Sequence, residues 1–186
     1  MPASRNPFHS TVTIPAGNDD AEAVAHVYAD SWPRSVQHMA TQDVREELLK
    51  MRGVAFWESE IRRRQGFRGQ FLVARRGAEI VGFAGSAIEP DGCWELIWLF
   101  VTPKMHGQGV GDQLHKEMIA GSRQSRPRER FLWAVPGNRR AERFYTHRGW
   151  RATTSIKDVD TPSGSFPLRK WILVDGDAPS RSNLTS

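Results

Sequence analysis

Three glycines alternate along the sequence HGQGVG at residues 106–111, between an apolar segment and an amphipathic one. A glycine-rich turn between a strand and a helix commonly binds phosphate, because free backbone N–H groups and the positive end of the helix dipole meet there. Glycine allows the backbone to come close to the phosphate oxygens, which a Cβ would prevent. The alternative interpretation is a connector whose glycines serve only the geometry of the turn.

The spacing of these glycines excludes two common phosphate motifs. A dinucleotide fingerprint, G-x-G-x-x-G, requires a glycine three positions after Gly109, where the chain has Asp112. A P-loop ends in glycine, lysine and then serine or threonine, whereas Gly111 is followed by Asp112 and Gln113. The turn therefore predicts a site for a phosphate-bearing molecule of another class.

The hydrophobic pattern predicts the elements that must position this turn. Helices are expected over 20–32, 42–50, 54–65, from Val110 with Leu114 and Met118 on the same face, and within 138–150. Strands are expected at 11–15, 70–75, 79–87, within 93–103, at 130–136, and at about 150–158 and 166–174. This order predicts an α+β protein with a mixed sheet flanked by helices.

The composition is typical of one globular domain. The chain has 186 residues, of which 39% are hydrophobic and 25% charged. No apolar run approaches the roughly 20 residues that span a bilayer, and the N-terminus lacks a signal-peptide core, so we expect a cytoplasmic protein without a membrane partner. We also expect loose ends at residues 1–10 and 175–186, which are polar and rich in proline and serine.

Charge and metal-ligand content narrow the function further. The net charge of +5 favours a solvated, arginine-rich surface over nucleic-acid binding, because the chain has no basic tail and no basic stripe interleaved with aromatic residues. Cys93 is the one cysteine, which excludes an internal disulfide and a cysteine-based metal cluster. His26, His38, His115 and His147 lack metal-ligand spacing, so the sequence predicts no metal site.

Two motifs together resemble the GCN5-related N-acetyltransferase (GNAT) family, in particular its small bacterial members. LFVTPKMHGQGVG is similar to the family's cofactor turn, which has the pattern [QR]-x-x-G-x-[GA] after a strand. GNRRAERFYTHRGW is similar to the second signature, with Asn138, the pair Phe144 and Tyr145, and a closing glycine and aromatic residue. The resemblance covers about residues 11–174 and implies the GNAT fold, a mostly antiparallel sheet of about seven strands that splays in the middle.

The resemblance implies an acetyl-CoA co-substrate, whose pantetheine arm lies where the sheet splays, and a backbone N–H near Val101 that binds the oxyanion. By the same resemblance, cofactor contacts are expected at Phe100, Val101, His106, Gly107, Gln108, Gly109, Val110, Gly111, Asn138 and Tyr145.

Tyr145 and Glu95 are the candidate catalytic residues. Tyr145 is at the position where GNAT enzymes often have the acid that protonates the leaving thiolate, although the residues around it also predict a core position. Glu95 matches the catalytic glutamate of the histone acetyltransferase branch, and its apolar neighbours predict a raised pKa. The alternatives for Glu95 are a strand position that faces water, with a water chain as the base.

His106 departs from the family pattern, which usually has Gln or Arg at this position. Its imidazole either donates to a phosphate, with affinity rising below about pH 6.5 as the ring becomes charged, or faces solvent while backbone N–H groups bind the cofactor. Asn138 either caps its helix, or binds the pantetheine arm, or does both.

The resemblance implies direct transfer of an acetyl group from acetyl-CoA to a primary amine on a small molecule or a peptide. It leaves open a longer acyl-CoA, a CoA-binding sensor or subunit without catalysis, and a homodimer.

Overall fold

The computed structural model describes residues 10–65 and 69–174. The seven strands in the described chain are β1 (Thr11–Pro15), β2 (Gly69–Arg76), β3 (Glu79–Ile88), β4 (Trp94–Val101), β5 (Arg130–Ala134), β6 (Trp150–Thr161) and β7 (Gly164–Leu173). The five α-helices there are α1 (Ala21–Val36), α2 (Gln42–Met51), α3 (Val54–Arg63), α4 (Val110–Ser122) and α5 (Arg139–Thr146). The expected order of strands and helices is confirmed. Apart from Ser10, the ends expected to be loose lie outside the described residues.

Two elements extend beyond their expected bounds. Helix α1 passes through Pro33 and ends at Val36, because Val36 is fully buried and anchors the last turn in the core. The last two strands form a longer hairpin than expected, with Thr161 paired to Gly164 at its tip. That tip rests on α2, where the backbone N–H and hydroxyl of Ser163 donate to Oε2 of Glu47 at 3.1 and 2.5 Å.

The sheet has the order β1-β2-β3-β4-β5-β7-β6 and is antiparallel except between β4 and β5. The predicted mixed, mostly antiparallel sheet flanked by helices is therefore confirmed. The parallel pair is short, since only Trp94–Leu96 of β4 pair with residues 130–132 of β5. Strand β4 then continues to Val101 without β5 beside it, which opens a gap in the middle of the sheet.

The two faces of the sheet carry separate hydrophobic clusters. One cluster packs α1, α2 and α3 onto the sheet around Tyr28, Trp57 and Phe83. The other packs α4 onto the opposite face through Leu114 and Met118, as the helical spacing predicts.

A bulge in β4 changes the face to which its side chains point. Gly85 of β3 pairs with Trp98, whereas the next residue, Ser86, pairs with Leu96, so Ile97 is the extra residue. Leu96 and Leu99 consequently both pack in the α4 cluster, although they are an odd number of positions apart, and Trp98 packs in the α1–α3 cluster. By the same alternation, Glu95 shares a face with Trp98.

His115 of α4 is a buried histidine with a structural role. Its Nε2 accepts a hydrogen bond from Nε1 of Trp150 at 2.9 Å, and only 7% of the residue is exposed. Burial, helped by the charge of Arg148, lowers the pKa of His115 from 6.5 to about 4. The imidazole is therefore neutral at physiological pH, as its role of acceptor requires.

This pKa predicts how stability depends on pH. The unfolded histidine takes up a proton near pH 6.5 and the folded one only near pH 4, so the free energy of unfolding falls as pH decreases through this window. In His115→Gln, the amide oxygen can still accept from Trp150 but does not titrate. Chemical denaturation at about pH 7 and about pH 4.5 should show a smaller loss of stability in the variant than in the wild type. Equal losses of stability in the two proteins would contradict the lowered pKa of His115.

Candidate active site

A cavity of about 870 Å³ follows the gap between β4 and β5. Its wall includes all the expected site residues except Gln108, namely Glu95, Phe100, Val101, His106, Gly107, Gly109, Val110, Gly111, Asn138 and Tyr145. The fold therefore brings two motifs that are distant in sequence to one space.

The backbone of β4 faces this gap. The N–H of Thr102 donates to the carbonyl of Val81 at 2.9 Å, so the neighbouring pair, Gly82 and Val101, belongs to the non-hydrogen-bonded kind of an antiparallel ladder. The N–H and C=O of Val101 consequently point away from β3. Leu99, two residues earlier on β4, also directs its N–H and C=O away from β3. Strand β5 does not pair with either residue, which leaves the N–H of Val101 directed at the cavity.

The carbonyl of Val101 is held from two sides. It accepts a hydrogen bond from Oγ of Ser31 at 3.1 Å, and Nε2 of His106 lies 2.9 Å from it. These contacts connect α1, the end of β4 and the start of the glycine turn, and so fix the edge of the gap.

The glycines of the turn serve two different purposes. Gly107 and Gly109 have φ values of +77° and +81°, which disfavour any side chain, and a Cβ on either would meet no atom within 4 Å. Gly111 is helical, and its Cβ would lie 3.2 Å from Cε2 of Phe144. The left-handed backbone thus explains Gly107 and Gly109, whereas packing against α5 explains Gly111.

The turn presents free donors to the cavity. The N–H groups of Val110, Gly111 and Asp112 are in the first turn of α4 and have no partner within the helix. The helix dipole adds partial positive charge at the same point. This arrangement suits an anion such as a phosphate group.

Gln108 is not brought to the cavity. Its Oε1 accepts from Nη1 of Arg76 at 2.7 Å, and its Nε2 donates to the carbonyl of Lys104 at 2.9 Å. Its backbone N–H donates to the carbonyl of Met105. The motif match places this residue in the turn, but its side chain bonds with Arg76 and Lys104 and does not line the cavity.

The His106 side chain neither faces open solvent nor points a charge at a phosphate. The ring is half-buried against the Val101 carbonyl, and burial together with the charge of Arg140 lowers the pKa of His106 below 6.5. To donate to Val101, Nε2 must carry the proton, and the neutral ring then has no second N–H. Protonation of the imidazole, and the rise in cofactor affinity expected from it, therefore occur only below pH 6.5.

Asn138 caps α5, since its Oδ1 accepts from the N–H of Ala141 at 3.2 Å. The same residue lines the cavity, so the cap holds Asn138 at the gap.

Tyr145 lies at the edge of the core and also lines the cavity. Its ring packs against Trp150 and Trp171 with centroid distances of 6.0 and 6.2 Å. Burial raises the pKa of the Tyr145 hydroxyl above its usual value of 10, so the phenol stays protonated at neutral pH.

Glu95 is half-buried in the cavity wall beside the point where β4 and β5 separate. Burial raises the pKa of its carboxyl, as expected from its apolar neighbours; Glu89 raises it further, while Lys157 and Arg64 act in the opposite direction. A carboxylate with a raised pKa is a better proton acceptor.

Several cavity residues were not found from sequence. Arg34, Arg52 and Arg148 line the cavity, and Arg148 pairs with Asp112 in the first turn of α4 while lying 3.6 Å from the ring centroid of Phe144. Of the basic residues near the two motifs, Arg140 lines the cavity, whereas Lys104 pairs with Glu79. Only the folded chain shows which of its many arginines face the gap.

Within residues 10–65 and 69–174, no cluster of His, Cys, Asp or Glu has the arrangement to bind a metal ion. No helix in the same ranges is long and apolar enough to cross a membrane.

A family model for the acetyltransferase (GNAT) family matches residues 21–150, which include both motifs and the gap. The chain belongs to the GNAT family. Among curated protein sequences, none matches this chain significantly.

Solved structures of GNAT proteins share this fold. The PaiA N-acetyltransferase of Thermoplasma acidophilum, in complex with coenzyme A, is 20% identical with a TM-score of 0.72, over 86% of this chain and 98% of its own. A GCN5-related N-acetyltransferase from Rhodopseudomonas palustris is 18% identical with a TM-score of 0.73, over 88% and 95%. The ribosomal-protein-S18-alanine N-acetyltransferase of Escherichia coli is 16% identical with a TM-score of 0.64, over 94% and 100%. At these identities the likeness shows the fold.

The open side of the turn gives a prediction about CoA binding. Gly109→Ala would place a methyl group in the space beside the turn, and we expect CoA affinity to fall about tenfold or more, comparable with the loss of one charge-assisted hydrogen bond. Gly77→Ala is the matched control, because Gly77 has φ +62°, meets no atom within 4 Å and lies in the β2–β3 hairpin. Both variants should lose about 1 kcal/mol of stability. Calorimetric titration with CoA measures the difference, and equal affinities would contradict a phosphate at this turn.

Proposed function

We propose that this GNAT protein is an N-acetyltransferase that moves the acetyl group of acetyl-CoA directly to a primary amine. The observation that carries the proposal is the gap in the sheet, where unpaired backbone of β4 and the free N–H groups of α4 line one cavity. The pantetheine arm would extend along β4, and the CoA phosphates would bind at the turn beside Arg34, Arg140 and Arg148.

Glu95 is the proposed general base. An alkylamine with a pKa of about 10 is mostly protonated at neutral pH, so it must lose a proton before it attacks the thioester carbon. The position of Glu95 in the cavity and its raised pKa support this role. Transfer of the ammonium proton to Glu95 leaves a neutral amine in the cavity.

Attack on the carbonyl carbon forms a tetrahedral intermediate with a negative oxygen. The proposed donor to this oxyanion is the N–H of Val101, which points away from β3 towards the gap. Because the carbonyl of the same residue is fixed by Ser31 and His106, this N–H is held in place before the reaction.

Collapse of the intermediate breaks the C–S bond and releases the thiolate of CoA. Tyr145 is the proposed donor of the proton that this sulfur needs. Burial raises the pKa of the phenol, and the same surroundings raise the pKa of a thiolate that forms there, because desolvation disfavours both anions. Desolvation therefore shifts both pKa values in the same direction. The nitrogen, which becomes positively charged on attack, loses its second proton to water as the amide forms, and Tyr145 and Glu95 return to their starting protonation states by exchange with water.

The proposed acceptor is a small-molecule or peptide amine, and the expected cytoplasmic location remains a prediction. The proposal is tested by thiol release from acetyl-CoA with a panel of amines comprising polyamines, aminoglycosides, amino acids, peptide N-termini and lysyl peptides. Acceptor-dependent release is expected. Tight CoA binding without release from any acceptor would favour a CoA-binding sensor, and release only from longer acyl-CoA would contradict the acetyl assignment.

Tyr145→Phe should lower kcat by about tenfold or more, because it removes the proton donor and keeps the ring. The melting temperature should remain that of the wild type, since the contacts with Trp150 and Trp171 are retained. Steady-state thiol release at saturating substrates is the measurement, and wild-type turnover would refute the assignment.

Glu95→Gln should lower kcat by about a hundredfold near neutral pH, within the usual contribution of a general base. The wild-type rate should fall as pH decreases through the raised pKa of Glu95. This acidic limb of the pH–rate profile should be absent in the variant. Glu89→Gln is the control, because it removes the neighbouring carboxylate and should move the limb to lower pH with little loss of maximal rate. An unchanged profile in Glu95→Gln would indicate a water chain as the base.

A further inference from the structure

Arg52, directly after α2, lines the cavity, and its guanidinium lies among four aromatic rings. Its Cζ lies 5.3 Å from the ring centroid of Tyr28, 5.6 Å from Trp32, 6.0 Å from Phe56 and 4.9 Å from Trp98. It also donates a hydrogen bond to the Tyr28 hydroxyl. These contacts hold the planar fork in one orientation before any ligand binds.

No carboxylate of the described residues pairs with this guanidinium. The acidic residues in the cavity wall are Glu95 and Asp112, and Asp112 pairs with Arg148. Tyr28 is the one side chain that accepts from Arg52 within residues 10–65 and 69–174. An arginine has five N–H donors in a fork that matches a carboxylate, so most of its donor capacity remains available to a ligand.

The remaining arginines of the wall are placed differently. Arg34 and Arg140 both act on the pKa of His106, so they lie near the glycine turn. Arg148 is beside Asp112 at the start of α4. Arg52 instead lies against Trp98, on the α1–α3 face of the sheet.

The bulge at Ile97 places this guanidinium and Glu95 on the same side of the sheet. Because of the extra residue, Glu95 and Trp98 share a face, and both line the cavity. The ring of Trp98 is itself fixed, since its Nε1 donates to Oε2 of the buried Glu60 at 2.9 Å. A ligand anchored at Arg52 would lie against the fixed ring of Trp98, on the face of the sheet that also carries Glu95.

Apart from Lys157 of β6, the part of the cavity that the β6–β7 hairpin lines is apolar. Trp32 of α1 and Val159, Phe166 and Leu168 of the β6–β7 hairpin line it, and Trp32 contacts Phe166 at 5.5 Å between centroids. The hairpin tip is bound to α2 through Glu47, which holds this wall near Arg52. The cavity thus combines the cations of Arg52 and Lys157, the Glu95 carboxylate and an apolar wall.

We propose that Arg52 binds a carboxylate of the acceptor, and that the acceptor is a small amino acid: a primary amine and a carboxylate joined by an apolar body. This inference rests on the proposed acetyltransferase function. The carboxylate forms a forked ion pair with Arg52, and the ammonium group of the same molecule gives its proton to Glu95 before attack. A polycation such as a polyamine is disfavoured by the charge of Arg52.

The direct test compares acids with their carboxamides as acceptors for the wild-type enzyme. Thiol release is measured with L-leucine, L-methionine, L-phenylalanine, β-alanine and γ-aminobutyrate, and with the primary amide of each. At least one acid should exceed its amide in kcat/KM by about tenfold or more, the usual range for a charge-assisted hydrogen bond. The α-amino amides have the lower amine pKa, so intrinsic reactivity favours the opposite result.

Variants at Arg52 distinguish a forked ion pair with the carboxylate from a simple effect of positive charge. Arg52→Gln should raise KM for the preferred acid about 30-fold and leave KM for its amide nearly unchanged. Arg52→Lys keeps the charge but not the fork, so its KM for the acid should lie between those of the wild type and Arg52→Gln. Lys50→Gln is the matched control, since Lys50 is exposed at the end of the same helix and does not line the cavity. Unchanged CoA affinity confirms that each variant retains the fold.

Binding without turnover gives an independent measurement. With CoA bound, the preferred acid should alter tryptophan fluorescence, because Trp32 and Trp98 lie beside Arg52, and Arg52→Gln should abolish the change. Amides that match or exceed every acid, or equal effects of Arg52→Gln on acid and amide, would overturn the carboxylate assignment alone. Absence of thiol release with every amine of both panels would contradict the acetyltransferase function itself.

Discussion

The central constraint in this structure is the early end of the parallel pairing between β4 and β5. Polar backbone groups that are buried without partners are costly, so an unpaired strand in the middle of a sheet requires another partner. Here the carbonyl of Val101 is satisfied by Ser31 and His106, while its N–H faces a cavity. An extended ligand with amide groups, such as the proposed pantetheine arm, would supply the hydrogen bonds that β5 does not. The defect in the sheet is thus the proposed binding site.

Because of the bulge at Ile97, the proposed cofactor site and the proposed acceptor site lie on opposite faces of the sheet. Beyond the bulge, Leu99 and Val101 pack on the α4 side, where the glycine turn offers N–H groups to phosphates. Glu95, Trp98 and the Arg52 guanidinium lie on the α1–α3 side. The cofactor and the acceptor can therefore approach the gap from opposite faces and meet where Glu95 and Tyr145 line the same cavity.

The sequence predicts the order of elements and the turn, because glycine spacing and helical periodicity are local. It could not reveal the bulge, since WELIWLFV is apolar nearly throughout and has no alternation for an extra residue to interrupt. The surroundings of Arg52 also escape such reasoning, because Tyr28, Phe56 and Trp98 come from α1, α3 and β4. A motif gives the backbone position of a residue and not the direction of its side chain, as Gln108 and His106 illustrate.

A crystal structure of the protein with CoA tests the central claim most directly. The pantetheine arm should lie between β4 and β5 beyond Leu96, hydrogen-bonded to the backbone of Leu99 and Val101, with the pyrophosphate at the first turn of α4. Strand β5 should remain apart from β4 along this length. CoA bound outside the gap, or β5 paired with Leu99 and Val101 in the complex, would contradict the account.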